Sequence, residues 1–163
     1  VRAADDIIIK GGGHGAAAGV TLATERIDDF RRRVNEFYDS LQLKNQELYL
    51  LPRADVEIDD FSEINEELVD NLAKMEPFGN GNAEPVLKIT EATVLSVKRM
   101  GADGQHVKLT LRDKNNITLQ MLAFNAPEEF FREVGDEVSA WFQPTVNEWQ
   151  GMRSVEGRLL HLA

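Results

Sequence analysis

Segment 7–19, IIIKGGGHGAAAG, brings together residue types that bind anions. Glycine has no β-carbon, so its backbone adopts left-handed angles and its N–H groups approach an anion closely. Phosphate is the commonest such anion, His14 adds a hydrogen bond or a positive charge, and the alanines that follow add little bulk. The segment therefore fits a phosphate-binding loop that includes His14. The alternative is a tight turn with a surface imidazole, because the segment matches neither GxGxxG nor the P-loop.

A second group of candidate residues alternates with apolar residues over 106–112. Side chains of a strand alternate between its two faces, so the polar members of this pattern share one face: His106, Lys108, Thr110 and Arg112. Lys98, Arg99 and Lys114 flank the strand, which gives five basic residues against two aspartates between positions 98 and 114. The pattern predicts a basic, nucleic-acid-binding face. The alternative is the solvated face that any half-exposed antiparallel strand shows.

Flat side chains near this face are candidates for stacking on nucleobases, because single-strand binding pairs basic charge with aromatic rings. We assign this role to Phe124 and Trp149, the second of which lies in a predicted turn, NEWQG. Arg153 follows that turn and adds a cation. For Trp149 the alternative is an indole folded over the end of the domain, because tryptophan is usually well buried.

The segment EPFGNGN, 76–82, is a candidate contact of a different kind. Its proline and glycines predict a turn. This turn can simply redirect the chain between two domains. Alternatively, Asn80 or Asn82 contacts backbone or phosphate, as a family resemblance carried by this segment and three others implies.

Residues 1–84 are predicted to form a mixed domain of helices and strands. Short strands are expected over 7–9, 20–22 and 54–58. The first helix is expected to take Thr24 as its N-cap and to carry an apolar stripe at helical spacing: Ile27, Phe30, Val34, Phe37 and Leu41. Asn65 is expected to cap a second helix, which ends before Pro77.

Residues 85–163 are predicted to form a second domain of short strands separated by Gly, Asp and Asn turns. The five expected strands cover 86–97, 106–112, 117–124, 137–146 and 152–161. A brief helix is expected near 127–132, between the third and fourth strands. This order is typical of an OB-fold, a small Greek-key barrel that binds oligonucleotides or oligosaccharides. The predicted fold class is therefore α+β, a mixed α/β domain followed by a five-stranded OB barrel.

The composition narrows the class of protein. A chain of 163 residues with 42% hydrophobic content and no long apolar run predicts a soluble globular protein. The absence of cysteine excludes disulfides and thiolate metal sites and fits a reducing cytoplasm. Residues 54–85 carry one basic and ten acidic side chains, which accounts for nine of the ten net negative charges. The overall acidity therefore does not exclude a nucleic-acid partner.

Four ordered segments carry a family resemblance: GGHGAAAG at 12–19, MEPFGNGNAEPV at 75–86, DGQHVKLTLRD at 103–113 and NEWQGMRS at 147–154. Together they resemble the C-terminal part of RecJ-type exonucleases, DHH-family phosphoesterases that degrade single-stranded DNA from the 5′ end in recombination and repair. The resemblance implies that residues 1–84 are most of a DHH-associated domain, truncated at its N-terminus. It also implies that Gly12, Gly13 and His14 contact the substrate phosphate, and that the OB barrel guides the strand.

The same resemblance implies where the chemistry resides. The family's metal ligands lie on an upstream catalytic domain, where Mn²⁺ or Mg²⁺ is expected. No metal, cofactor or catalytic residue is expected here, because His14, His106 and His161 lie on different elements, and the chain alone is expected to be inactive. The implied partners are single-stranded DNA, the upstream catalytic domain and other repair proteins, with no membrane.

Two alternative functions fit part of the sequence. The first is a DHH-family phosphodiesterase that acts on short RNA or dinucleotides, which shares the glycine-histidine motif but usually lacks a trailing barrel. The second is a non-catalytic OB module whose barrel binds a protein partner, as acidic OB-folds do. Substituting Lys108, Arg112 and Trp149 together should abolish DNA binding under the DNA-binding hypothesis and leave it unchanged under this second alternative.

Overall fold

The structure, a computed structural model, describes residues 2–14, 17–42 and 52–163. The chain divides into two compact units, residues 1–50 and residues 51–163. No helix in the described ranges has both the length and the apolar character needed to cross a membrane.

The first unit contains a two-stranded antiparallel hairpin built on the glycine-rich segment. Strand β1 is Lys10–His14 and strand β2 is Ala17–Thr21, with Gly12 opposite Gly19 and Gly13 opposite Ala18. The predicted strand over 7–9 is wrong. Short 3-10 turns occupy Arg2–Ile7, and the strand begins after them, at Lys10.

Helix α1, Ile27–Ser40, follows the hairpin and agrees with the predicted helical spacing. The predicted cap is wrong, because Thr24 lies in a preceding 3-10 turn and neither that turn nor α1 has a side-chain N-cap. Ion pairs hold the start of the helix instead: Arg33 lies 3.2 Å from Asp29 and 2.6 Å from Asp6. Hydrogen bonds from Arg33 and Arg32 lower the pKa of Asp29 below its usual value.

The second unit is dominated by one sheet of six strands. Their bounds are β3 Val56–Ile58, β4 Leu87–Met100, β5 His106–Arg112, β6 Thr118–Ala123, β7 Glu137–Trp149 and β8 Met152–Leu162. A 3-10 helix, Glu128–Phe130, lies between β6 and β7. The five longer strands and the short helix agree closely with the bounds expected from the sequence.

The five longer strands close on themselves. Strand β5 pairs antiparallel with β4 and β6, β8 pairs parallel with β6 and antiparallel with β7, and β7 pairs antiparallel with β4. The inner side chains form one apolar core whose largest fully buried members include Phe142, Ile89, Leu109 and Met121. The prediction of a mixed α/β chain with a sheet-dominated, OB-like second part is confirmed.

Residues 52–86 belong to the second unit. Strand β3 pairs in parallel with β4, and Phe61 and Ile64 are buried in the barrel core. Helix α2, Glu66–Ala73, begins at Asn65, whose side chain accepts a hydrogen bond from Leu68 N at 2.9 Å, as the sequence predicts. The predicted boundary near residue 84 therefore does not coincide with the division into units, because an apolar segment far upstream of it completes the barrel core.

Candidate nucleic-acid interface

Strand β5 presents the predicted polar face. Val107, Leu109 and Leu111 are fully buried in the core, whereas the residues between them are partly exposed. The polar residues therefore project from the outside of the sheet, where a ligand can reach them. This arrangement is the one that the alternating pattern predicts.

A row of cross-strand neighbours extends this face over four strands. Lys98 lies opposite Lys108, Lys108 opposite Leu122, and Leu122 opposite Arg158. Residues directly opposite one another share a face of the sheet and have β-carbons about 5 Å apart. We define the outer-face surface by this row and by two adjoining rings: Lys98, His106, Lys108, Leu122, Phe124 and Arg158.

Phe124 and His106 form the aromatic end of the outer-face surface. Their ring centroids lie 5.1 Å apart in an edge-to-face arrangement. Asn125 N donates a hydrogen bond to His106 Nδ1 at 3.0 Å, which orients the imidazole. Phe124 is 64% exposed, so most of its ring is available to a ligand.

Lys108 is held by a carboxylate from a strand two positions away. Its Nζ lies 2.9 Å from Glu156 Oε1, and Glu156 is only 6% exposed. Lys98 and Arg112, in contrast, form no ion pair or side-chain hydrogen bond within the described ranges. Of Lys98, Lys108 and Arg112, two cations therefore have no carboxylate partner within the described ranges and one is already paired.

Arg99 does not join this surface. It lies opposite Val107, which faces the core, and its guanidinium carbon lies 3.5 Å from the centroid of the Phe131 ring. Its Nη2 also lies 2.5 Å from Glu128 Oε1. Arg99 therefore does not lie on the face that carries Lys98, because adjacent residues of a strand point to opposite sides.

Trp149 lies at the tip of the β7–β8 hairpin, opposite Met152. Gln150 and Gly151 form the two-residue turn with φ of 52° and 77°, as a type I′ turn requires. Trp149 is 68% exposed, so the alternative of an indole folded over the barrel end is excluded for this residue. The prediction of an exposed ring in a turn is confirmed for Trp149.

Arg153, predicted to be a DNA contact, is paired within the second unit. Its Nη1 lies 3.0 Å from Glu66 Oε2 and its Nη2 lies 3.6 Å from Asp70 Oδ1. Both carboxylates are on α2, one turn apart. Arg153 therefore connects the hairpin to this helix, and its charge is partly neutralised.

Arg158 is the charged residue of the outer-face surface that the sequence prediction missed. Its guanidinium donates to Gln143 Oε1 and to Glu84. It also lines a groove of about 280 Å³ together with Leu122, Phe124 and Glu156. The alternation in β8 could have identified it, because Glu156 and Arg158 flank the buried Gly157.

Gly12, Gly13 and His14 lie on strand β1, so the prediction of a loop is wrong for these residues. Neither glycine adopts a left-handed φ. The close approach that Gly13 permits is to β2, since a β-carbon there would collide with backbone atoms of Ala17 and Ala18. The last position of the GGGHG motif and the first alanine, 15 and 16, lie outside the described residues.

All three residues nevertheless line one open cavity of the first unit. Its volume is about 460 Å³, and Arg2 and Phe37 are also part of its lining. Two glycines and His14 of strand β1 thus line the same cavity as Arg2 of the preceding 3-10 turn. The structure brings together the three predicted residues and adds Arg2, which the sequence pattern did not indicate.

Asn80 and Asn82 lie in a turn closed by paired backbone hydrogen bonds between Gly79 and Asn82, at 2.8 and 3.1 Å. The Asn82 amide donates to the carbonyl oxygens of Met75 at 2.9 Å and Pro77 at 3.0 Å. Asn82 therefore contacts backbone, one of the two predicted alternatives. Asn80 is exposed and forms no side-chain hydrogen bond in the described part of the chain.

Comparison with known proteins identifies relatives of the whole chain. A family model described as the RecJ OB domain matches residues 54–161. The chain is 30% identical over 149 residues to the single-stranded-DNA-specific exonuclease RecJ of Bacillus subtilis strain 168, covering 91% of this chain and 19% of the relative. It is 26% identical over 153 residues to the single-stranded-DNA-specific exonuclease RecJ of Haemophilus influenzae, and this match covers 93% of this chain and 26% of the relative.

Two crystal structures of RecJ from Thermus thermophilus share the fold. The Mg²⁺ complex gives a TM-score of 0.59 at 22% identity and covers 99% of this chain and 24% of the other. The Mn²⁺ complex gives a TM-score of 0.59 at 24% identity, and the match covers 99% of this chain and 23% of the other. The chain thus spans about a fifth to a quarter of the length of the relatives it matches. Since the family model covers more than half of the sequence, the chain belongs to the RecJ OB domain family.

Proposed function

We propose that this chain is a substrate-binding part of a RecJ-like 5′→3′ single-stranded DNA exonuclease of recombination and repair. In this proposal the outer-face surface holds the DNA strand, and the first unit contacts a phosphate through Gly12, Gly13 and His14. The observation that carries the proposal is the exposed ring of Phe124, which lies beside His106 and next to the Lys98–Lys108 row.

Single-stranded DNA requires two kinds of contact, flat rings for the bases and cations for the phosphates. Phe124 supplies an exposed ring, and a base stacked on such a ring contributes about 1–3 kcal/mol. Lys98 supplies a charge that no carboxylate neutralises within the described ranges. The outer-face surface therefore has the two chemical components of a single-strand site within one face of the sheet.

Two more residues extend this site in the proposal. Arg112 lies at the far end of β5 from His106, six residues away, or about 20 Å at the usual rise of a strand. Trp149 offers a second exposed ring at the hairpin tip. A strand of several nucleotides can therefore contact rings and cations over the length of the barrel.

The first unit contributes the phosphate contact. A phosphate in the cavity that Gly12, Gly13 and His14 line would also approach Arg2. An arginine beside exposed glycine amides is a suitable environment for an anion. We assign this unit to the DHH-associated domain and Asn80 to a further backbone or phosphate contact.

The chain is proposed to hold the strand, and the cleavage is assigned to a separate DHH catalytic domain with Mn²⁺ or Mg²⁺. Divalent ions in such a domain would activate water and stabilise the leaving oxygen. The described residues contain no group of three or more His, Asp or Glu side chains arranged for a metal ion. The catalytic domain, other repair proteins and a cytoplasmic location complete the proposal.

A fluorescence-anisotropy titration of the full 163-residue chain tests this function. Labelled single-stranded DNA is titrated at low and moderate salt, with a duplex of equal length as the control. We expect tighter binding of the single strand and a loss of affinity as salt rises, because phosphate binding releases counterions. Equal affinity for duplex, or no binding at low salt, would contradict the proposal and favour a protein-binding OB module.

A further inference from the structure

The groove beside the outer-face surface has the size and lining of a nucleobase pocket. Its volume is about 280 Å³, and strands β6, β7 and β8 supply its walls. Leu122 provides an apolar side chain in the middle of the sheet, and Phe124 provides an exposed ring. A planar, largely apolar group therefore fits between them.

Glu156 gives this groove a chemical preference. The residue is only 6% exposed, yet it is part of the groove lining. Its Oε1 accepts the hydrogen bond from Lys108 Nζ at 2.9 Å, and Oε2 accepts none from the described residues. An ionised carboxylate only accepts hydrogen bonds, so the second oxygen favours a ligand that donates.

We propose that the groove binds one base of the DNA strand and that Glu156 makes it prefer bases with an amino group. This inference rests on the proposed function, since it concerns the same single-stranded ligand. The base would stack on Phe124 and direct its Watson–Crick edge towards Glu156. Single-stranded bases are commonly read in this way, by stacking combined with hydrogen bonds to their exposed edges.

Cytosine and thymine differ at the position that Glu156 would read. Cytosine presents an N4 amino group, which donates to carboxylates, whereas thymine presents the O4 carbonyl oxygen at the same place. A carbonyl oxygen facing a carboxylate places two acceptors against each other with no donor between them. We therefore expect cytosine to be bound more tightly than thymine, by about tenfold for one base.

The experiment compares two homopolymers on the full chain by anisotropy competition at neutral pH. Oligo-dC and oligo-dT of equal length are used, with a third oligonucleotide in which every cytosine carries two methyl groups on N4. We expect dC to compete about tenfold better than dT, and the dimethylated oligonucleotide to compete about as weakly as dT. Methylation removes the donor hydrogens of the base and requires no change to the protein.

The protein variant is Glu156→Gln, which keeps the shape and replaces one acceptor oxygen by a donating amide. We expect the preference for dC over dT to fall from about tenfold to less than about twofold. The matched control is Glu148→Gln, since Glu148 lies on the same hairpin, opposite Arg153, and does not line the groove. This control should leave the preference unchanged.

The outcomes separate this inference from the proposed function. Equal affinity for dC, dT and the dimethylated oligonucleotide overturns the inference and leaves single-strand binding intact. A Glu156→Gln variant that gains affinity for dC and dT by the same factor also overturns it, because Glu156 then only neutralises Lys108. No binding of any single strand overturns both. If the variant fails to fold, the dimethylated oligonucleotide on the unaltered chain decides the question.

Discussion

Arg153 Nη1 lies 3.0 Å from Glu66 Oε2, so the cation that follows the hairpin turn is bound to the first turn of α2. Asp70, one turn further along that helix, lies 3.6 Å from the other nitrogen of the guanidinium. The hairpin that carries Trp149 is thereby connected to a segment that was predicted to belong to another domain. The structural role of Arg153 differs from the role that its sequence position suggests.

Replacing Arg153 with alanine should affect DNA binding little. We expect Arg153→Ala to change single-strand affinity by less than about twofold, because its charge is already shared with two carboxylates. Lys98→Ala should lower the affinity and reduce the slope of log K against log salt by about 0.7, the value for one phosphate contact on a single strand. Anisotropy titrations of both variants at several salt concentrations measure these changes. A larger loss for Arg153→Ala than for Lys98→Ala would contradict the assignment.

The sequence allowed the outer face to be predicted because strand alternation is a local property. Over β5 the period of two places His106 and Lys108 outside and Val107 in the core, as found. Strand β4 does not follow the same rule throughout. Its register shifts between Val94 and Ser96, and such a bulge reverses the facing of every residue beyond it. For this reason Lys98 joins Lys108 whereas Arg99 does not.

The ion pairs could not be predicted because their members are distant in sequence. Lys108 and Glu156 meet only because β6 lies between their strands, and Glu66 meets Arg153 only because α2 packs with β7. The prediction of a loop over the glycine segment was wrong for a different reason. Glycine is as compatible with a strand that closely approaches its neighbour as with a loop, and contact with Ala18 selects the strand.

Asp113 should be essential for attaching residues 59–64 to the barrel. Its buried carboxylate accepts backbone hydrogen bonds from Phe61 at 2.7 Å, Asn115 at 2.8 Å and Ile117 at 2.9 Å. Asp113→Ala leaves these donors without their acceptor, and we expect the free energy of unfolding to fall by about 2–5 kcal/mol. Urea unfolding monitored by far-UV circular dichroism measures the loss.

The control for this substitution is Asp103→Ala. The Asp103 side chain is exposed and accepts no hydrogen bond within the described ranges. Its replacement should change the free energy of unfolding by less than about 0.5 kcal/mol. Similar stabilities for the two variants would contradict the role given to Asp113.

Gly157 should tolerate no side chain. It lies opposite Met121 on β6, and a β-carbon built on it would overlap the Met121 sulfur and contact the Phe142 ring at 3.0 Å. We expect Gly157→Ala to lower the free energy of unfolding by about 1–3 kcal/mol through overpacking. The matched control is Gly79→Ala, whose β-carbon would meet no atom within 4 Å. Thermal melting of both variants tests this, and equal melting temperatures would be inconsistent with a packed strand at Gly157.

His161 should make the barrel sensitive to mild acid. Burial lowers the pKa of His161 below 6.5, and the Glu129 carboxylate acts in the opposite direction. The imidazole packs edge-on against Trp141, with the ring centroids 5.2 Å apart. Below pH 6.5 the unfolded chain binds the proton more readily than the folded chain, so stability falls as the pH drops through that value. Above about pH 7.5 the contribution of His161 to stability is constant, because its imidazole is neutral in both the folded and the unfolded chain.

The measurement is urea unfolding of the unaltered chain and of His161→Phe. It is made at about pH 7.5 and about pH 5.5, which lie on either side of the histidine titration. The phenylalanine keeps an aromatic ring against Trp141. We expect the variant to lose less stability between the two pH values than the unaltered chain does. Carboxylates titrate in both proteins, so the difference reports His161. An identical loss in both would show that His161 does not couple to folding in this range.

The central claim, that the outer-face surface binds single-stranded DNA through an exposed ring, is tested most directly by the affinity of Phe124→Ala for a labelled single strand. Phe124 is 64% exposed, so the substitution should leave the melting temperature within a few degrees of that of the unaltered chain. We expect affinity to fall roughly 5- to 150-fold, the equivalent of one stacked base. The control, Val134→Ala, removes a similarly exposed apolar side chain, at 68%, outside the outer-face surface and should leave the affinity unchanged. Unchanged affinity in Phe124→Ala, with both variants folded, would contradict the claim.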